Sequence, residues 1–211
     1  MTRDKFIERW TGIGGNRKDW GIEHEITMIE SNQQIADAYQ LNFPNDRVII
    51  ADAYQYILDH YDEFDFIWSS PPCQSHSKMV KFTRHDIRKY PDFSLYQEIV
   101  FLDNFFKGKY VVENVNPYYK PIITPSVTFG RHLIWSNFQI LPIKTKNIDD
   151  FINISGVAGA EELKKWLGIY YDGTIYYDGN HDPTQVLRNA VHPDLGLHIL
   201  NESQRNGLFN A

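Results

Sequence analysis

Two observations on the sequence predict an α/β fold with a mostly parallel sheet. Short apolar segments bounded by turn-forming residues alternate with segments whose apolar residues recur at helical spacing, as in successive strand–helix units. A glycine, an acid or a cysteine stands where each of five predicted strands ends: Gly12, Glu30, Asp52, Cys73 and Glu113. Ligands of open α/β sheets bind outside the carboxyl ends of the strands, so these residues are expected to face one cleft.

The composition is that of one soluble domain with a sizeable core. The chain has 211 residues, of which 42% are hydrophobic and 15% aromatic. The single cysteine excludes an intramolecular disulfide and fits a reducing, cytoplasmic compartment. No apolar run is long enough to span a bilayer, and residues 1–10 lack a signal-peptide pattern, so no membrane partner is expected. The net charge of -6 argues against a generally basic nucleic-acid-binding surface but allows a local basic patch.

The first two predicted strands, residues 6–10 and 25–29, enclose a Gly-rich turn, residues 11–16. Its glycines allow positive φ angles and a close approach of a ligand to the backbone. The second strand ends at Glu30, where an acid about 20 residues past the glycines can accept hydrogen bonds from two ribose hydroxyls. An ordinary loop and a surface glutamate stay open as alternatives, because such a turn alone is a weak signal.

Two polar residues are expected to begin helices. Ser31 is predicted to cap a helix that includes residues 34–39. A third strand, residues 47–51, ends just before Asp52. Asp52 is expected to cap the helix at residues 54–60 or to bind a ligand, and both roles can hold because the cap faces the same cleft.

Cys73 stands just beyond the fourth predicted strand, residues 65–69. Pro71 and Pro72 cannot continue the ladder of a sheet, so the strand ends and the chain turns outward before Cys73. The position suits a nucleophile, because the scaffold behind it is stiff and the front is open. The alternative is a small buried hydrophobe, but the five residues that follow are polar or charged and unsuited to a core.

The stretch from Gln74 to Tyr90 is the most basic in the chain. It carries five Lys or Arg residues and two histidines against a single acid, Asp86. A solvated charged loop is the ordinary interpretation of such a run. Directly after a candidate nucleophile, it favours a loop that contacts phosphates and positions a duplex without reading its sequence.

The next elements are a helix and two strands. Helical spacing predicts a helix over residues 93–106. The stripe expected in the core is Leu95, Ile99, Leu102, Phe105 and Phe106. Strands are predicted at residues 109–112, with Glu113 at the end, and within residues 130–138.

Residues 139–185 carry more acids than bases and no evident motif. Within them, residues 161–167 are expected to form a helix, and residues 169–178 resemble a hairpin. The residues after Asn201 are expected to be loosely ordered.

Two motifs resemble those of the cytosine-C5 DNA methyltransferases. Ser70-Pro71-Pro72-Cys73-Gln74 resembles the nucleophile motif of that family, and Glu113-Asn114-Val115 resembles its Glu-Asn-Val motif, in the expected order. The Gly-rich turn matches the S-adenosylmethionine loop, and residues 186–196 resemble the last motif, which packs beside the first. The resemblance extends from residue 10 to residue 196 and implies a class I S-adenosylmethionine-dependent methyltransferase fold, a mostly parallel seven-stranded sheet with helices on both faces.

The resemblance also implies a division of the chain. Residues 1–138 would form the catalytic domain that binds S-adenosylmethionine, residues 139–185 a small target-recognition region, and residues 186–211 a segment that packs back on the catalytic domain. The recognition region is short and poorly charged for DNA. The protein is therefore expected to read a very short site, to form a homodimer or to need a second subunit.

The resemblance implies a role for each site residue. Cys73 would add as a thiolate to carbon 6 of a flipped cytosine, Glu113 would bond N3 when protonated, and Arg131 would steady the base and the Glu113 carboxylate. The implied cofactor-binding residues are Trp10, Gly12, Ile13, Gly14, Gly15, Glu30, Ser31, Asp52, Ala53, Pro71, Asn189 and Ala190. The implied contacts with double-stranded DNA are Gln74, Ser75, His76, Lys78, Lys81, Arg84, Arg88, Lys89 and His132. No metal site is predicted.

Departures from the family pattern leave alternatives open. Glu8-Arg9 stands where the first strand should be apolar, and an unpaired buried Glu8 would be costly, so a frayed or displaced strand is expected. Arg188 replaces a glycine, and the usual Gln-x-Arg-x-Arg is reduced to Gly130-Arg131-His132. The leading interpretation is an active DNA (cytosine-5-)-methyltransferase. The alternatives are a catalytically degenerate protein that binds DNA or cofactor, and the same chemistry on RNA.

Overall fold

The computed structural model describes residues 4–9, 12–76, 90–144, 159–176 and 182–205. The strands in chain order are β1 Lys5–Arg9, β2 Glu25–Glu30, β3 Arg47–Ile50, β4 Phe66–Ser69, β5 Lys109–Val115, β6 Val127–Phe129 and β7 His132–Ser136. The helices are α1 Gln33–Asn42, α2 Ala53–His60, α3 Ser94–Phe105, α4 Ala160–Leu167, α5 Gln185–Asn189 and α6 Pro193–Arg205, with a 3₁₀ turn at Tyr61–Glu63.

The seven strands of the described residues form one sheet in the order β3-β2-β1-β4-β5-β7-β6. Strands β1 to β5 run parallel, and β7 runs antiparallel to its neighbours β5 and β6. The order reverses between β1 and β4, and an open α/β sheet has its ligand crevice at such a point, at the carboxyl ends of the strands. The predicted mostly parallel seven-stranded sheet is confirmed.

Apolar side chains pack against both faces of the sheet. One face meets α6 through Phe6, Trp68, Val111, Leu195 and Ile199. The other face meets α2 and α3 through Ile7, Ile67, Val112, Ile57 and Leu102. The neighbours Phe6 and Ile7 pack on different faces because successive side chains of a strand point to opposite sides of the sheet. Helices therefore cover both faces, as predicted.

β1 is a central strand despite its charged end. It pairs through five residues with β2 and through four with β4. Glu8 and Arg9 are fully buried, and each has partners: Glu8 lies within hydrogen-bonding distance of Asn16 and Tyr39, and Arg9 Nη1 lies 2.6 Å from Glu98 Oε1. The expectation of a frayed or displaced first strand is wrong, because β1 pairs with both neighbouring strands and each buried polar side chain has a partner.

Polar caps begin two of the helices. Asn32, not Ser31, caps α1, and its side chain accepts hydrogen bonds from two backbone N–H groups of the first turn. The prediction for Ser31 is wrong because its N–H and hydroxyl both donate to Glu30, and the helix starts one residue later than that cap requires. Asp52 caps α2 as predicted, accepting a hydrogen bond from the Gln55 N–H at 2.8 Å.

α3 buries most of its predicted core stripe. The buried residues, each at most 7% exposed, are Leu95, Ile99, Leu102 and Phe106. Phe105 is 61% exposed, which corrects the prediction for this residue. The helix ends at Phe105, and the extended backbone of Phe106 turns that ring into the core. Phe105 instead stacks on Phe101, with 5.6 Å between the ring centroids.

The region around α4 packs on the amino-terminal half of the chain. α4 confirms the predicted helix at 161–167. None of the described residues 169–176 belongs to a strand, so the hairpin predicted over 169–178 is wrong for that part. Ile169 and Ile175 join a core with Ile13 and Tyr39, while the backbone N–H and carbonyl of Tyr170 pair with the side chain of Asn42 rather than with a second strand.

α6 extends further than predicted. It continues to Arg205, so residues 202–205 are helical rather than loosely ordered, and residues 206–211 lie outside the described residues. Glu202 and Ser203 are buried, and an ion pair of 2.8 Å joins Arg205 to Glu202. Among the described helices, none combines the length and the apolar character needed to cross a membrane.

Candidate active site

A cavity of about 270 Å³ lies at the carboxyl ends of the strands. Its walls come from the end of β2, the loop after β4, the end of β5, the segment around Asn189 and one residue of the Gly-rich turn, Asn16. Eight lining residues are among those assigned to a site from the sequence: Glu30, Ser31, Pro71, Cys73, Gln74, Glu113, Asn189 and Ala190. The sheet thus brings together residues that are up to 160 positions apart, from Glu30 to Ala190.

Cys73 reaches the cavity from the loop after β4. The strand ends at Ser69, and the two prolines carry the chain outward as the sequence predicts. Asn114 of β5 donates a hydrogen bond from Nδ2 to the Pro71 carbonyl at 3.0 Å, which ties the loop to the neighbouring strand. The Cys73 sulfur lies 3.9 Å from Asn189 Nδ2, so the carboxyl-terminal segment reaches the same point.

The Cys73 thiol is protonated in the free protein. Burial, and then the nearby Glu113 carboxylate, raise the pKa of Cys73 to about 11, while the charge of Arg131 opposes the shift. A thiolate, not a thiol, is the nucleophile. A nucleophilic role for Cys73 therefore requires that the proton leave once a substrate has changed these surroundings.

Glu113 is held by a histidine on the neighbouring strand. β5 runs to Val115, so Glu113 lies within the strand rather than at its end as predicted, and it is 5% exposed. His132 begins β7, the antiparallel partner of β5. His132 Nδ1 lies 2.7 Å from Glu113 Oε1. One proton bridges this contact, carried either by the imidazole or by the carboxyl group.

Arg131, the arginine of the reduced motif, is fixed by the carboxyl-terminal segment. Its Nη2 donates a hydrogen bond to the carbonyl oxygen of Arg188, and the Arg188 guanidinium pairs with Asp182. The resemblance assigns to Arg131 the steadying of the base and of Glu113, which stays a prediction, and the structure describes a further contact on Glu113 from His132. Arg188, which stands where the family has a glycine, thereby links β7 to the region before α5.

Glu30 supplies a second buried carboxyl group to the cavity. Its Oε1 accepts hydrogen bonds from the backbone N–H groups of Ser31 at 2.8 Å and Asn32 at 2.9 Å. Burial raises the pKa of Glu30, and these hydrogen bonds oppose the shift. Among the described residues, all hydrogen bonds to Glu30 fall on Oε1, which leaves Oε2 for a ligand.

The Gly-rich turn is clamped between α1 and the carboxyl-terminal segment. Gly14 has a φ of 77°, and a Cβ there would lie 2.6 Å from the ring of Tyr39. A Cβ on Gly15 would lie 2.3 Å from the carbonyl oxygen of Val191. The absence of side chains lets the turn fit between these elements, and the fit brings Asn16 to the cavity.

Other assigned residues lie behind the cavity wall or elsewhere. Those that do not line the cavity are Gly12, Ile13, Gly14, Gly15, Asp52, Ala53, Ser75, His76, Arg131 and His132. His76 is 1% exposed, and its Nδ1 lies 2.5 Å from Tyr119 Oη, so it supports the cysteine loop from within. The assigned residues that lie outside the described residues are Trp10, Lys78, Lys81, Arg84, Arg88 and Lys89.

Sequence reasoning did not assign three asparagines of the cavity wall, Asn16, Asn32 and Asn114. Asn16 follows the glycines directly, and Asn114 follows Glu113 in the Glu-Asn-Val motif. Their positions next to motif residues could have indicated that they line the site. Asn32 carried only a weak signal, because a cap one residue from Ser31 is hard to tell from it in sequence.

Residues 5–120, more than half of the chain, match the family described as C-5 cytosine-specific DNA methylase. The chain belongs to this family. As a C-5 cytosine-specific DNA methylase family member, it has S-adenosylmethionine as its cofactor. No curated protein gives a significant match to the chain.

One solved structure supports the fold, and two others match part of the chain. Entamoeba histolytica methyltransferase EhMeth aligns over 98% of this chain and 99% of its own, with a TM-score of 0.55 and 14% identity. A variant of Spodoptera frugiperda DNMT2 is 26% identical over 53% of this chain and 35% of its own, with a TM-score of 0.38. An E. coli prophage protein described as a DNA modification methyltransferase is 18% identical over 55% of this chain and 33% of its own, with a TM-score of 0.37. The present chain thus spans about a third of the length of the DNMT2 variant and of the prophage protein.

The cavity fits the cofactor that the family uses. Glu30 offers a buried carboxylate oxygen that can accept hydrogen bonds from the ribose hydroxyls, the role of an acid at the end of a second strand. The apolar surfaces of Pro71 and Val186 line the same cavity beside polar groups, as in most sites for cofactors. When bound, S-adenosylmethionine supplies an electrophilic methyl group.

Proposed function

We propose that the protein methylates carbon 5 of cytosine in DNA, with Cys73 as the nucleophile. The observation that carries the proposal is that Cys73 and Glu113 line one cavity with Glu30, the candidate ribose ligand. A thiol and a carboxyl group on opposite edges of one pyrimidine are the groups that this chemistry needs. Nothing in the described part of the cavity competes with Cys73 as a sulfur nucleophile, because it is the only cysteine of the chain.

The chemistry begins with Cys73, because carbon 5 of cytosine is too weak a nucleophile by itself. Once the thiol has given its proton to solvent, bond formation from Sγ to carbon 6 would move the electron pair of the ring double bond to carbon 5, as N3 takes up a proton. Carbon 5 would then take the methyl group that S-adenosylmethionine supplies, and the bond from that methyl group to the cofactor sulfur would break, which leaves S-adenosylhomocysteine. Loss of the carbon 5 proton to solvent and breakage of the bond from sulfur to carbon 6 would restore the double bond, and N3 would give its proton back.

Glu113 and His132 act together on N3. With the proton of the His132 contact on Nδ1, a second proton on the other oxygen of Glu113 is donated to N3 as the thiolate adds. His132 Nδ1, 2.7 Å from Oε1, fixes the orientation of the carboxyl group. Arg131 favours the Cys73 thiolate through its positive charge. The base, once its N3 is protonated, offsets the energetic penalty that burial imposes on the thiolate.

The substrate proposal is double-stranded DNA with a flipped cytosine. Cys73 is only partly exposed, and its sulfur faces a cavity rather than a convex surface. A base stacked in a duplex cannot enter such a site, so it must leave the stack. The homodimer or second subunit expected from the short recognition region stays a prediction.

The proposal of a degenerate binding protein loses its main support. It rested on Glu8 and Arg9 disrupting β1 and on the short recognition region, and the first ground fails because β1 pairs along its whole length with β2. RNA as the substrate has no observation of its own in its favour and becomes an outcome of the test.

The decisive experiment measures transfer from tritiated S-adenosylmethionine to duplex DNA of mixed sequence and, in parallel, to transfer RNA. Label in DNA, bisulfite mapping to cytosine, and an SDS-stable complex with 5-fluorocytosine DNA are expected, because fluorine at carbon 5 cannot leave as a proton. The Cys73→Ser variant should form no complex yet bind the cofactor in calorimetry. Label in RNA alone would replace the DNA proposal, and no label in either would refute it.

A further inference from the structure

A buried polar cluster lies beneath the Gly-rich turn, behind the cavity. Glu8 on β1 is 0% exposed. Asn16 Nδ2 lies 2.6 Å from Glu8 Oε1, and Tyr39 Oη lies 2.7 Å from Glu8 Oε2. The same Tyr39 Oη lies 2.8 Å from Asp46 Oδ2, and Arg17 approaches both oxygens of Asp46, at 3.0 and 3.1 Å.

The hydroxyl of Tyr39 contacts two carboxyl groups, and these two contacts need two protons. The hydroxyl has one, so a carboxyl group must supply the other. Tyr39 is a neutral phenol, since burial raises its pKa well above the ordinary value, and it carries a single hydroxyl proton. That proton can serve only one of the two carboxylate oxygens within 2.8 Å. At the other contact the tyrosine oxygen must accept, so one carboxyl group has to donate.

The partners decide which carboxyl group donates. Asp46 has a paired guanidinium, Arg17, on both of its oxygens, so it remains an anion and accepts the Tyr39 proton. Among the residues that the structure describes, Glu8 has only Asn16 and Tyr39 within hydrogen-bonding distance. Its register neighbours on β2 and β4 are uncharged residues, Met28 and Trp68.

We propose that Glu8 is a protonated positioning residue: its carboxylic acid donates to Tyr39, accepts from Asn16, and so holds the Gly-rich turn in the shape that binds S-adenosylmethionine. Asn16 makes the connection to the site, because its side chain bonds Glu8 and the residue also lines the cavity. Arg17, which fixes the anionic partner, is the residue that directly follows the turn. When Glu8 ionises, the carboxylates of Glu8 and Asp46 both need the single hydroxyl proton of Tyr39, so one of the two hydrogen bonds is lost. Glu8 bonds Asn16 and Asp46 bonds Arg17, so this loss loosens the Gly-rich turn.

The direction of the pH dependence follows from the burial of Glu8. Burial, which outweighs the hydrogen bonds from Tyr39 and Asn16 and the charge of Arg17, raises the pKa of Glu8 to about 7. In the unfolded chain the pKa is about 4.3. The contribution of Glu8 to folding is therefore fully present below the unfolded value and is lost as the pH rises to the folded value, by on the order of 100-fold in the folding equilibrium.

The test compares Glu8→Gln with the wild type. A glutamine amide donates to Tyr39 and accepts from Asn16, so it copies the protonated acid and cannot ionise. Unfolding by denaturant at about pH 5 and about pH 8 should show that the variant gains on the order of 100-fold in folding equilibrium over the wild type at the higher pH only. Glu25→Gln, the same change at an exposed position of β2, should leave the pH profile unchanged.

Cofactor binding supplies the readout that a merely structural role would not move. Calorimetry with S-adenosylmethionine should show wild-type affinity falling between about pH 6 and about pH 8.5, while Glu8→Gln loses that component. Glu30 lies in the same cavity and also has a raised pKa, but it is present in both proteins, so the difference isolates Glu8. Parallel affinity profiles for the two proteins would overturn the positioning role.

A spectroscopic measurement tests the protonation directly. Infrared spectra of the folded wild type below neutral pH should contain a carboxylic-acid C=O stretch that is lost as the pH rises through neutrality and is missing from folded Glu8→Gln. Burial also raises the pKa of Glu30 and Glu98, but both are present in the two proteins, so the difference between the spectra isolates Glu8. Absence of any such stretch from the wild type, or identical spectra for the two folded proteins, would overturn the protonation itself. These outcomes are independent of whether the protein methylates DNA, because none of the measurements uses a methyl acceptor.

Discussion

The imidazole of His132 lies against the carboxyl group of Glu113, with 2.7 Å between Nδ1 and Oε1. The two residues stand on neighbouring antiparallel strands, β7 and β5, so the contact depends on backbone pairing rather than on a mobile loop. The related motif carries arginines in this region, which hold a carboxylate but cannot release a proton. A histidine can do both, because either ring nitrogen can donate or accept.

Replacement of His132 should separate orientation of Glu113 from cofactor binding. His132→Ala should lower kcat for methyl transfer by about 100-fold or more, since Glu113 loses the group that orients it. The affinity for S-adenosylmethionine should not change, because His132 does not line the cavity. Single-turnover kinetics and calorimetry measure the two quantities.

His132→Arg is the matched control for that change. Arginine restores a donor to Glu113 and should recover part of the lost kcat, with a changed pH profile because it cannot accept a proton. Wild-type kcat in His132→Ala would show that the contact has no part in the reaction.

Glu113→Gln should abolish most transfer while preserving the fold. An amide keeps the shape of the side chain but holds no exchangeable acid proton for N3, so kcat should fall by about 100-fold or more. Glu63→Gln makes the same change on an exposed residue outside the cavity and should be silent. Circular dichroism and cofactor affinity serve to exclude misfolding, and a kcat within error of the wild type would remove Glu113 from the chemistry.

The raised pKa of Cys73 predicts slow alkylation at neutral pH. Burial and Glu113 raise the pKa of the thiol to about 11, so its thiolate fraction should rise about tenfold per pH unit through the range in which a free thiol, with a pKa of about 8.5, levels off. The rate of iodoacetamide labelling in the protein without ligands, followed by mass spectrometry, tests this. A plateau close to that of free cysteine would mean that the site already stabilises the thiolate.

The sequence predicted the sheet and the convergence of Glu30, Cys73 and Glu113 on one cavity, because apolar runs, turn residues and motif order are local signals. Gly12 and Asp52, predicted to face the same cleft, do not line it. The sequence did not show that Asn32 rather than Ser31 caps α1, or that Phe105 lies outside the core. In both cases the outcome depends on the exact residue at which a helix begins or ends, which neighbouring residues of similar type do not reveal. The partners of Glu8 and Arg9 were not predictable from the sequence. Glu98 lies 89 positions after Arg9 and meets it only once α3 packs on the sheet.

Gly196→Ala should destabilise the protein although it adds a helix-favouring residue to α6. A Cβ there would lie 2.1 Å from the carbonyl oxygen of Asn16, a backbone atom that cannot swing aside. The overpacking should exceed the helix-propensity gain of about 1 kcal/mol and give a net loss of about 2 kcal/mol. Because Asn16 lines the cavity, affinity for S-adenosylmethionine should fall as well.

Gly159→Ala is the matched control for crowding. A Cβ there meets nothing within 4 Å, so the change should cost no more than about 1 kcal/mol, from the lower capping preference of alanine. Equal losses in the two variants, measured by denaturant unfolding, would show that contact with Asn16 is not the cause.

Loss of either Arg9 or Glu98 alone should destabilise the protein more than loss of both, because the two residues form a buried ion pair. Both side chains are at most 1% exposed, and Nη1 lies 2.6 Å from Oε1. Arg9→Met or Glu98→Leu alone leaves one buried charge uncompensated and should cost about 3–5 kcal/mol. The double variant removes both charges and fills the space with apolar atoms, so its stability should return to within about 2 kcal/mol of the wild type. Denaturant unfolding of all four proteins gives the coupling directly, and additive losses in the double variant would show that the two charges do not compensate each other.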